Sequence, residues 1–159
     1  MNPRIEKIEA KKLVGRKEIM SFEDYKVTEL WKSFMPRRKE IINPISNDLV
    51  SVAIYKATHF TDFRPSNEFE KWAAVEVTGF ENVPPGMSQF TIPAGRYAVF
   101  AYQGSSANPA VYQYIFNSWL PASAYSLDDR PHFEILGENY RNNDPASEEE
   151  IWIPVKARL

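Results

Sequence analysis

The stretch Glu148-Glu149-Glu150-Ile151-Trp152-Ile153-Pro154-Val155 decides the fold of this chain, because three acids give way at once to apolar and β-branched residues. This change predicts a loop, holding the first two acids, that leads into a β-strand. Side chains alternate between the two faces of a strand. The residues expected on the core face are Ile151, Ile153 and Val155. Glu150 and Trp152 then lie together on the other face.

A similar pattern lies 80 residues earlier, in Phe69-Glu70-Lys71-Trp72-Ala73-Ala74-Val75-Glu76-Val77, where Trp72 takes the place of Trp152. Two apolar stripes with the i, i+3, i+4, i+7 spacing of a helix face also repeat, at an offset of 85. They are Val27, Leu30, Trp31 and Phe34 in the first half, and Tyr112, Ile115, Phe116 and Trp119 in the second. A proline after each stripe, Pro36 or Pro121, is expected to end the helix. The offsets predict a duplicated β-α-β-β module.

The sequence between these landmarks supplies the remaining elements. One strand is predicted within residues 4–20, and Ser21 is predicted to cap the first helix. The other predicted strands are Leu49–Thr58, Glu70–Val77, Phe90–Tyr102 with a turn inside it, and His132–Leu136. Asn108 is predicted to cap the second helix.

The repeat also sets the domain organisation. We assign the first repeat to about residues 1–80, the linker to 81–87 and the second repeat to about 88–159, within a single domain. One module is too small to bury both of its faces alone. The predicted fold class is therefore α+β, with a shared antiparallel sheet and the two main helices packed on one face.

The composition of the chain excludes several classes of function. The chain has 159 residues, 43% of them hydrophobic, with a net charge of −2 and no cysteine. There is no general positive field to hold nucleic acid or an anionic membrane. Thiolate chemistry and cysteine metal sites are excluded, and the two histidines show no ligand spacing, so neither a metal nor a cofactor is expected. No signal peptide or membrane span is evident, and a cytoplasmic protein is predicted.

Alternation also suggests which residues line the face away from the helices. By the offset of 80, Trp72 and Glu76 are expected to share the face of Glu150 and Trp152. In the strand 132–136 we expect the apolar Phe133 and Ile135 in the helix-side core, which places Glu134 beside Trp152. An acid there is either an ordinary solvent-facing residue or the charged group of an aromatic cleft.

The order and spacing of four segments resemble the GyrI-like superfamily, the effector-binding domain of AraC- and MerR-type transcription regulators. The segments are Ile92–Phe100, Trp119–Ser123, Pro131–Glu134 and Glu150–Val155, and Phe69–Val77 fits the first repeat of that family. The resemblance covers nearly the whole chain. It implies a pair of β-α-β-β modules with a ligand cleft between them, lined by aromatic residues around an acid.

Relatives of this type bind hydrophobic, often cationic, aromatic compounds. Carried over by position, the Pro-x-Phe-Glu acid is Glu134, with Glu138 nearby as the alternative, and the last strand supplies Glu150 and Trp152. The further cleft walls that we expect are Trp72, Glu76, Tyr55, Tyr102 and Trp119. A small-molecule binding protein is the leading hypothesis, with aromatic rings arranged around the cleft acid.

Two other functions stay open at this point. Free-standing relatives include a gyrase inhibitor and hydrolases of strained cyclopropane compounds. If this chain is such a hydrolase, Glu134 is the expected catalytic acid. The acids Glu148–Glu150 are the only feature that favours a protein partner such as gyrase. The effector domain accounts for all 159 residues, so no direct DNA binding is expected. Either a monomer or a homodimer is compatible with the sequence.

Overall fold

The computed structural model describes all 159 residues and shows an α+β fold built on one antiparallel sheet. Its strands are β1 (Arg4–Ile8), β2 (Lys11–Met20), β3 (Leu49–Ile54), β4 (Phe69–Glu76), β5 (Ser88–Ile92), β6 (Gly95–Gln103), β7 (Tyr125–Leu127), β8 (His132–Leu136) and β9 (Glu148–Ala157). The helices are α1 (Val27–Phe34), followed by a 3₁₀ turn at Met35–Glu40, and α2 (Ala110–Tyr114), which continues through a π-helical turn at Ile115–Trp119 into α3 (Leu120–Ala122). None of these helices is long and apolar enough to cross a membrane.

The sheet is strongly curled. Its strand order is β1-β6-β9-β8-β3-β4-β2-β5, with β7 added to the end of β9. In a flat sheet β5 and β6 would lie about 29 Å apart at the usual strand spacing. Only Pro93 and Ala94 connect them, and three Cα–Cα steps span at most about 11 Å. The short β1–β2 connection closes the same gap, so the two sheet edges are drawn together.

Both faces of this curled sheet are buried. The outer face packs against the helices in two clusters. One surrounds Leu30 and Phe34 of α1. The other surrounds Val111 and Ile115 of the second helical segment, which is the continuous run from α2 through α3. The inner face carries a third cluster that contains no helical residue and draws on strands from both halves. Trp72, with 1% of its surface exposed, lies in this inner cluster. The expectation of both helices on one face of the sheet is confirmed.

Several element boundaries differ from the expectations. Residues 4–20 form two strands, because the chain turns at Glu9 and Ala10. Ser21 does not cap α1; its hydroxyl accepts the Asp24 amide in a turn before the helix, which starts at Val27. α1 ends at Phe34, two residues before Pro36, and a 3₁₀ turn that contains this proline follows it. Pro121 lies inside α3, so the second helical segment ends one residue after it, at Ala122. Glu148 and Glu149 belong to β9 rather than to a loop.

Candidate functional site

A strip of small side chains runs across the middle of the helix-side face. Ser51 and Ala53 of β3 lie there, and both are buried. The strand register places Ser51 between Ala73 and Glu134, and Ala53 between Lys71 and His132. Paired residues of an antiparallel sheet point to the same face. These small residues lie at the border between the cluster that packs against α1, which includes Ala53, and the cluster that packs against α2, and polar side chains flank them. We call this region the central cleft.

Glu134 is the acid at the base of the central cleft. It lies on β8, and its Oε1 accepts a hydrogen bond of 2.5 Å from the hydroxyl of Tyr112 on α2. This bond connects the sheet floor with the second helical segment. Burial, together with the charge of Glu134, raises the pKa of Tyr112 well above its usual value. Tyr112 therefore remains a hydrogen-bond donor over the whole physiological range.

A second acid, Glu149, lies beside Glu134. Glu134 pairs with Ile151 across β8 and β9, and Glu149 is two residues away from Ile151 on the same face. Diagonal neighbours of this kind have Cα atoms about 7–8 Å apart, within reach of two glutamate side chains. Glu149 is buried, and its Oε2 has no hydrogen-bond partner. Burial, with the charge of Glu134, raises the pKa of Glu149 to about 9. Glu149 therefore keeps its proton at neutral pH.

Aromatic rings form one wall of the central cleft. Tyr55, at the end of β3, contacts His59 with ring centroids 4.5 Å apart and His132 at 5.0 Å. Phe60 stacks on His132 at 5.5 Å and on Phe116 of the second helical segment at 5.3 Å. Phe60 is 39% exposed, so this wall reaches the surface. The loop that follows β3 and the second helical segment thus meet through stacked rings.

The basic groups of the cleft are a lysine and two histidines. Lys71 on β4 is only 8% exposed, and it forms no ion pair or side-chain hydrogen bond. Burial, with the charge of Lys71, lowers the pKa of His132 to about 3. Burial also lowers the pKa of His59, whose two ring nitrogens have no partner. Both histidines are neutral at pH 7, so Lys71 is the positive group of the floor.

An open groove of about 1130 Å³ runs past the ends of the strands and reaches Glu149. Tyr102 lines the same groove and pairs with Glu149 across β6 and β9. The Tyr102 hydroxyl donates a hydrogen bond to the backbone oxygen of Ser105. The groove thus gives one acid of the central cleft a route to solvent.

The structure brings only part of the sequence-predicted set together. Glu134 and Tyr55 lie in the central cleft, and Tyr102 borders it through Glu149. Trp119 packs against Phe100 at 5.2 Å in the helix-side core. The other predicted residues, which lie on the inner side of the sheet, are Trp72, Glu76, Glu150 and Trp152.

The expected placement of Glu134 beside Trp152 is therefore wrong. In the register of β8 and β9, Phe133 pairs with Trp152, so these two share the inner face, where their rings stack at 5.0 Å. Glu134 points to the opposite face. The reason is that both faces of this sheet are buried, so an apolar residue such as Phe133 does not identify the face that meets the helices. The expected core face of Ile151, Ile153 and Val155 is confirmed.

On the inner face the predicted acid–indole pairs are structural. The Trp152 indole donates to Glu150 at 3.2 Å, and the Trp72 indole donates to Glu70 at 2.9 Å. Glu76 lies 3.4 Å from the ammonium group of Lys11. These acids have partners within the protein, and the rings belong to the inner cluster.

Sequence reasoning missed several residues of the central cleft. Tyr112 was interpreted as part of an apolar stripe, although its ring has a hydroxyl that needs a partner when buried. Glu149 was not selected, because it lies in a run of three acids whose first two residues were expected in a loop. Lys71 carried a usable signal, because it is the one charged residue in the apolar run between Glu70 and Glu76 of β4, at a position of the helix-side face. The acids expected in the cleft were Glu134, with Glu138 as its alternative, and Glu150 and Glu76, but not Glu149.

A curled antiparallel sheet, with two helical segments flanking a cleft of acids and aromatic rings, defines an α+β ligand-binding domain. The chain belongs to the GyrI-like family: the model of the GyrI-like small molecule binding domain matches residues 1–156. The transcriptional regulator BrlR of Pseudomonas aeruginosa is 30% identical over 157 residues, which are 98% of this chain and 56% of the regulator. The chain thus spans little more than half of that relative.

Solved structures share the fold. The structure of SAV2435 bound to tetraphenylphosphonium has a TM-score of 0.69 and 19% identity, covering 98% of this chain and 94% of that one. The EcmrR C-terminal domain gives 0.70 and 14%, covering 98% and 97%. A hydrolase encoded by lin2189 from Listeria innocua gives 0.62 and 8%, covering 98% and 92%. At these identities the likeness concerns the fold alone.

Proposed function

We propose that this protein binds hydrophobic aromatic cations in the central cleft, with Glu134 as the counter-charge. The observation that supports this most directly is the half-buried Glu134, with the buried Glu149 beside it, beneath the wall formed by Tyr55, Phe60 and Phe116. A carboxylate in a site of low dielectric attracts a cation more strongly than it does in water. The ring faces add cation–π attraction of about 0.5–2 kcal/mol each.

The comparison with SAV2435, whose structure holds tetraphenylphosphonium, supports this choice of ligand class. Tetraphenylphosphonium has four aromatic rings around a positive charge that cannot donate a hydrogen bond. Such an ion needs a negative charge and ring contacts rather than directed acceptors. The central cleft offers both, in Glu134 and in the rings of Tyr55, Phe60 and Phe116.

Isothermal titration calorimetry with tetraphenylphosphonium tests the proposal. Glu134→Gln keeps the shape of the side chain and its bond from Tyr112, but removes the charge. We expect it to weaken binding roughly 10- to 100-fold, as for the loss of a charged partner worth about 1.5–3 kcal/mol. The matched control is Glu150→Gln on the inner face, which should bind like the parent. Equal losses in both variants, or none in Glu134→Gln, would refute the role of Glu134.

A second candidate is the hydrolase function, with a strained cyclopropane-type electrophile as substrate. It is favoured by the proximity of a carboxylate, Glu134, to an acid that retains its proton at neutral pH, Glu149. Such a pair provides a base or nucleophile together with a general acid. Incubation with a cyclopropane-bearing electrophile and detection of the ring-opened product tests this function. Turnover that persists in Glu134→Gln excludes that residue as the catalytic group.

A further inference from the structure

Lys71 has no partner for its charge within the protein. The residue is 92% buried on β4, between Glu18 of β2 and Ala53 of β3, and the salt bridges and side-chain hydrogen bonds of the chain do not include it. Its helix-side orientation follows from Ala73, two residues further along the same strand, which packs against α1. The charge of Lys71 is felt by both His132 and Glu149. Lys71 therefore faces the central cleft.

The Lys71 ammonium group is not among the fully buried unpartnered atoms, so its tip reaches solvent at the cleft while the rest of the residue is buried. A charge at a largely buried site attracts an opposite charge more strongly than it does in bulk water. Neither acid of the cleft pairs with Lys71, since no carboxyl oxygen lies within 4.0 Å of the Lys71 ammonium group. Further unpartnered polar atoms lie nearby, namely Oε2 of Glu149 and both ring nitrogens of His59.

The floor of the central cleft thus carries two opposite charges that do not neutralise each other directly. Lys71 lies on β4 and Glu134 on β8, with β3 between them. Two strand spacings, together with the two-residue step from His132 to Glu134 along β8, separate the two residues by about 12 Å at the level of the backbone. The buried floor between them consists of Ser51 and Ala53, which offer no charge of their own. A ligand lying across β3 meets a negative group at one end and a positive group at the other.

We propose that the central cleft selects zwitterionic aromatic compounds, whose cation faces Glu134 and whose carboxylate or similar anion pairs with Lys71. This inference rests on the proposed function, because it uses the same cleft and the same acid. It adds a second requirement for the ligand. A purely cationic compound leaves Lys71 unpaired and experiences its repulsion, whereas a zwitterion satisfies both charges.

Two probes that differ in one group test the inference: (4-carboxyphenyl)triphenylphosphonium, a zwitterion at pH 7.5, and its methyl ester, a cation. We expect the parent protein to bind the zwitterion at least tenfold more tightly than the ester in calorimetric titrations. Lys71→Met keeps the length of the side chain and removes the charge. In that variant we expect the preference to disappear or to reverse, with the ester bound at least as tightly as by the parent.

Two further variants keep the test decisive. Lys71→Arg retains the charge and should retain the preference for the zwitterion. Lys17→Met removes a lysine from the inner face, where Lys17 lies 5.6 Å from the Trp72 ring, and should leave both affinities unchanged. Circular dichroism and thermal melting establish that each variant folds. If Lys71→Met does not fold, the parent and Lys71→Arg still decide the matter, since an equal affinity for both probes would overturn the inference.

The outcomes separate this inference from the proposed function. If the ester and tetraphenylphosphonium bind in a Glu134-dependent manner but Lys71→Met leaves the preference unchanged, the role of Lys71 is refuted and cation binding stands. If the zwitterion binds through Lys71 and Glu134→Gln has no effect on any probe, the cation site is refuted instead. If no probe binds, both proposals fail.

Discussion

The two faces of the sheet both place acids beside aromatic rings, but they satisfy those acids differently. On the inner face, Glu70 and Glu150 each accept an indole N–H, and each has a cation within 4.0 Å. On the helix-side face, the Tyr112 hydroxyl donates to Glu134, and Oε2 of the buried Glu149 has no partner. Lys71 lies nearby without a partner. The acid–indole pairs of the inner face are thus satisfied, and the Tyr97 hydroxyl is the unpartnered polar atom of the inner cluster, whereas on the helix-side face an acid is without a partner.

This difference teaches that an acid next to a tryptophan does not by itself indicate a ligand site. The indole N–H is a donor that must be satisfied when buried, and a glutamate two residues away on the same strand face satisfies it. The pairs at Trp72 and Trp152 are thus explained by hydrogen bonding within the sheet. Buried polar groups that lack such an explanation are the better indicator of function.

The largest expected effect is the loss of stability when a large side chain is removed from the inner cluster. Trp72 is 1% exposed and belongs to the inner cluster, so Trp72→Ala should lower the free energy of unfolding by about 3–5 kcal/mol. Urea unfolding followed by circular dichroism measures this change. A variant that is as stable as the parent but no longer binds tetraphenylphosphonium would reverse the comparison between the faces.

The matched control for this substitution is Phe63→Ala. Phe63 is 53% exposed in the loop between β3 and β4, and its ring touches Phe22 and His59 at the periphery. Surface substitutions usually change stability by less than about 0.5 kcal/mol. A loss as large as that of Trp72→Ala would show that the outer rings stabilise the fold as much as the inner cluster does.

An intermediate effect is expected from Glu149, and it depends on pH. The pKa of Glu149 in the folded protein, about 9, lies above its ordinary value of 4.5. Between these values the folded state keeps a proton that the unfolded state has lost. The stabilising contribution is therefore full below pH 4.5 and declines as the pH rises toward 9. Glu149→Gln cannot lose a proton, so its stability relative to the parent should increase with pH.

Urea unfolding of the parent and of Glu149→Gln at several pH values between 5 and 8 measures this difference. We expect the two curves of stability against pH to diverge by on the order of 1 kcal/mol per pH unit. Glu150→Gln is the control, because Glu150 lies near the inner-face cation Arg4. Parallel curves for Glu149→Gln and the parent would mean that Glu149 is ionised at neutral pH, and that the two cleft acids carry two charges.

Much of the fold could be predicted from the sequence, because periodicity reports local structure directly. The stripes starting at Val27 and Tyr112 lie on the two helical segments, and Ile151, Ile153 and Val155 face them. The duplication itself remains a prediction, supported by the matched acid–indole pairs at Trp72 and Trp152. The curl of the sheet was not predictable from alternation, since it depends on which strands become neighbours.

The candidate site was harder to predict for the same reason. Which face of β8 meets the helices depends on its register with β9, and a shift of one residue exchanges the faces. With both faces buried, Phe133 and Glu134 were equally acceptable on either side. Glu134 was named through the family resemblance rather than through alternation. Lys71 and Glu149 needed the structure, because their significance lies in the absence of partners.

The smallest expected effect concerns Arg4, at the exposed margin of the inner face. Its guanidinium group lies 2.7 Å from Glu150 and 5.8 Å from the Trp152 ring centroid. Because the Arg4 side chain is 48% exposed, Arg4→Met should cost only about 0.2–1 kcal/mol, and less at high salt. Combining it with Glu150→Gln in a double-mutant cycle isolates the ion pair. A coupling above about 2 kcal/mol, or a loss of ligand affinity, would show that this acid–indole group does more than complete the inner face.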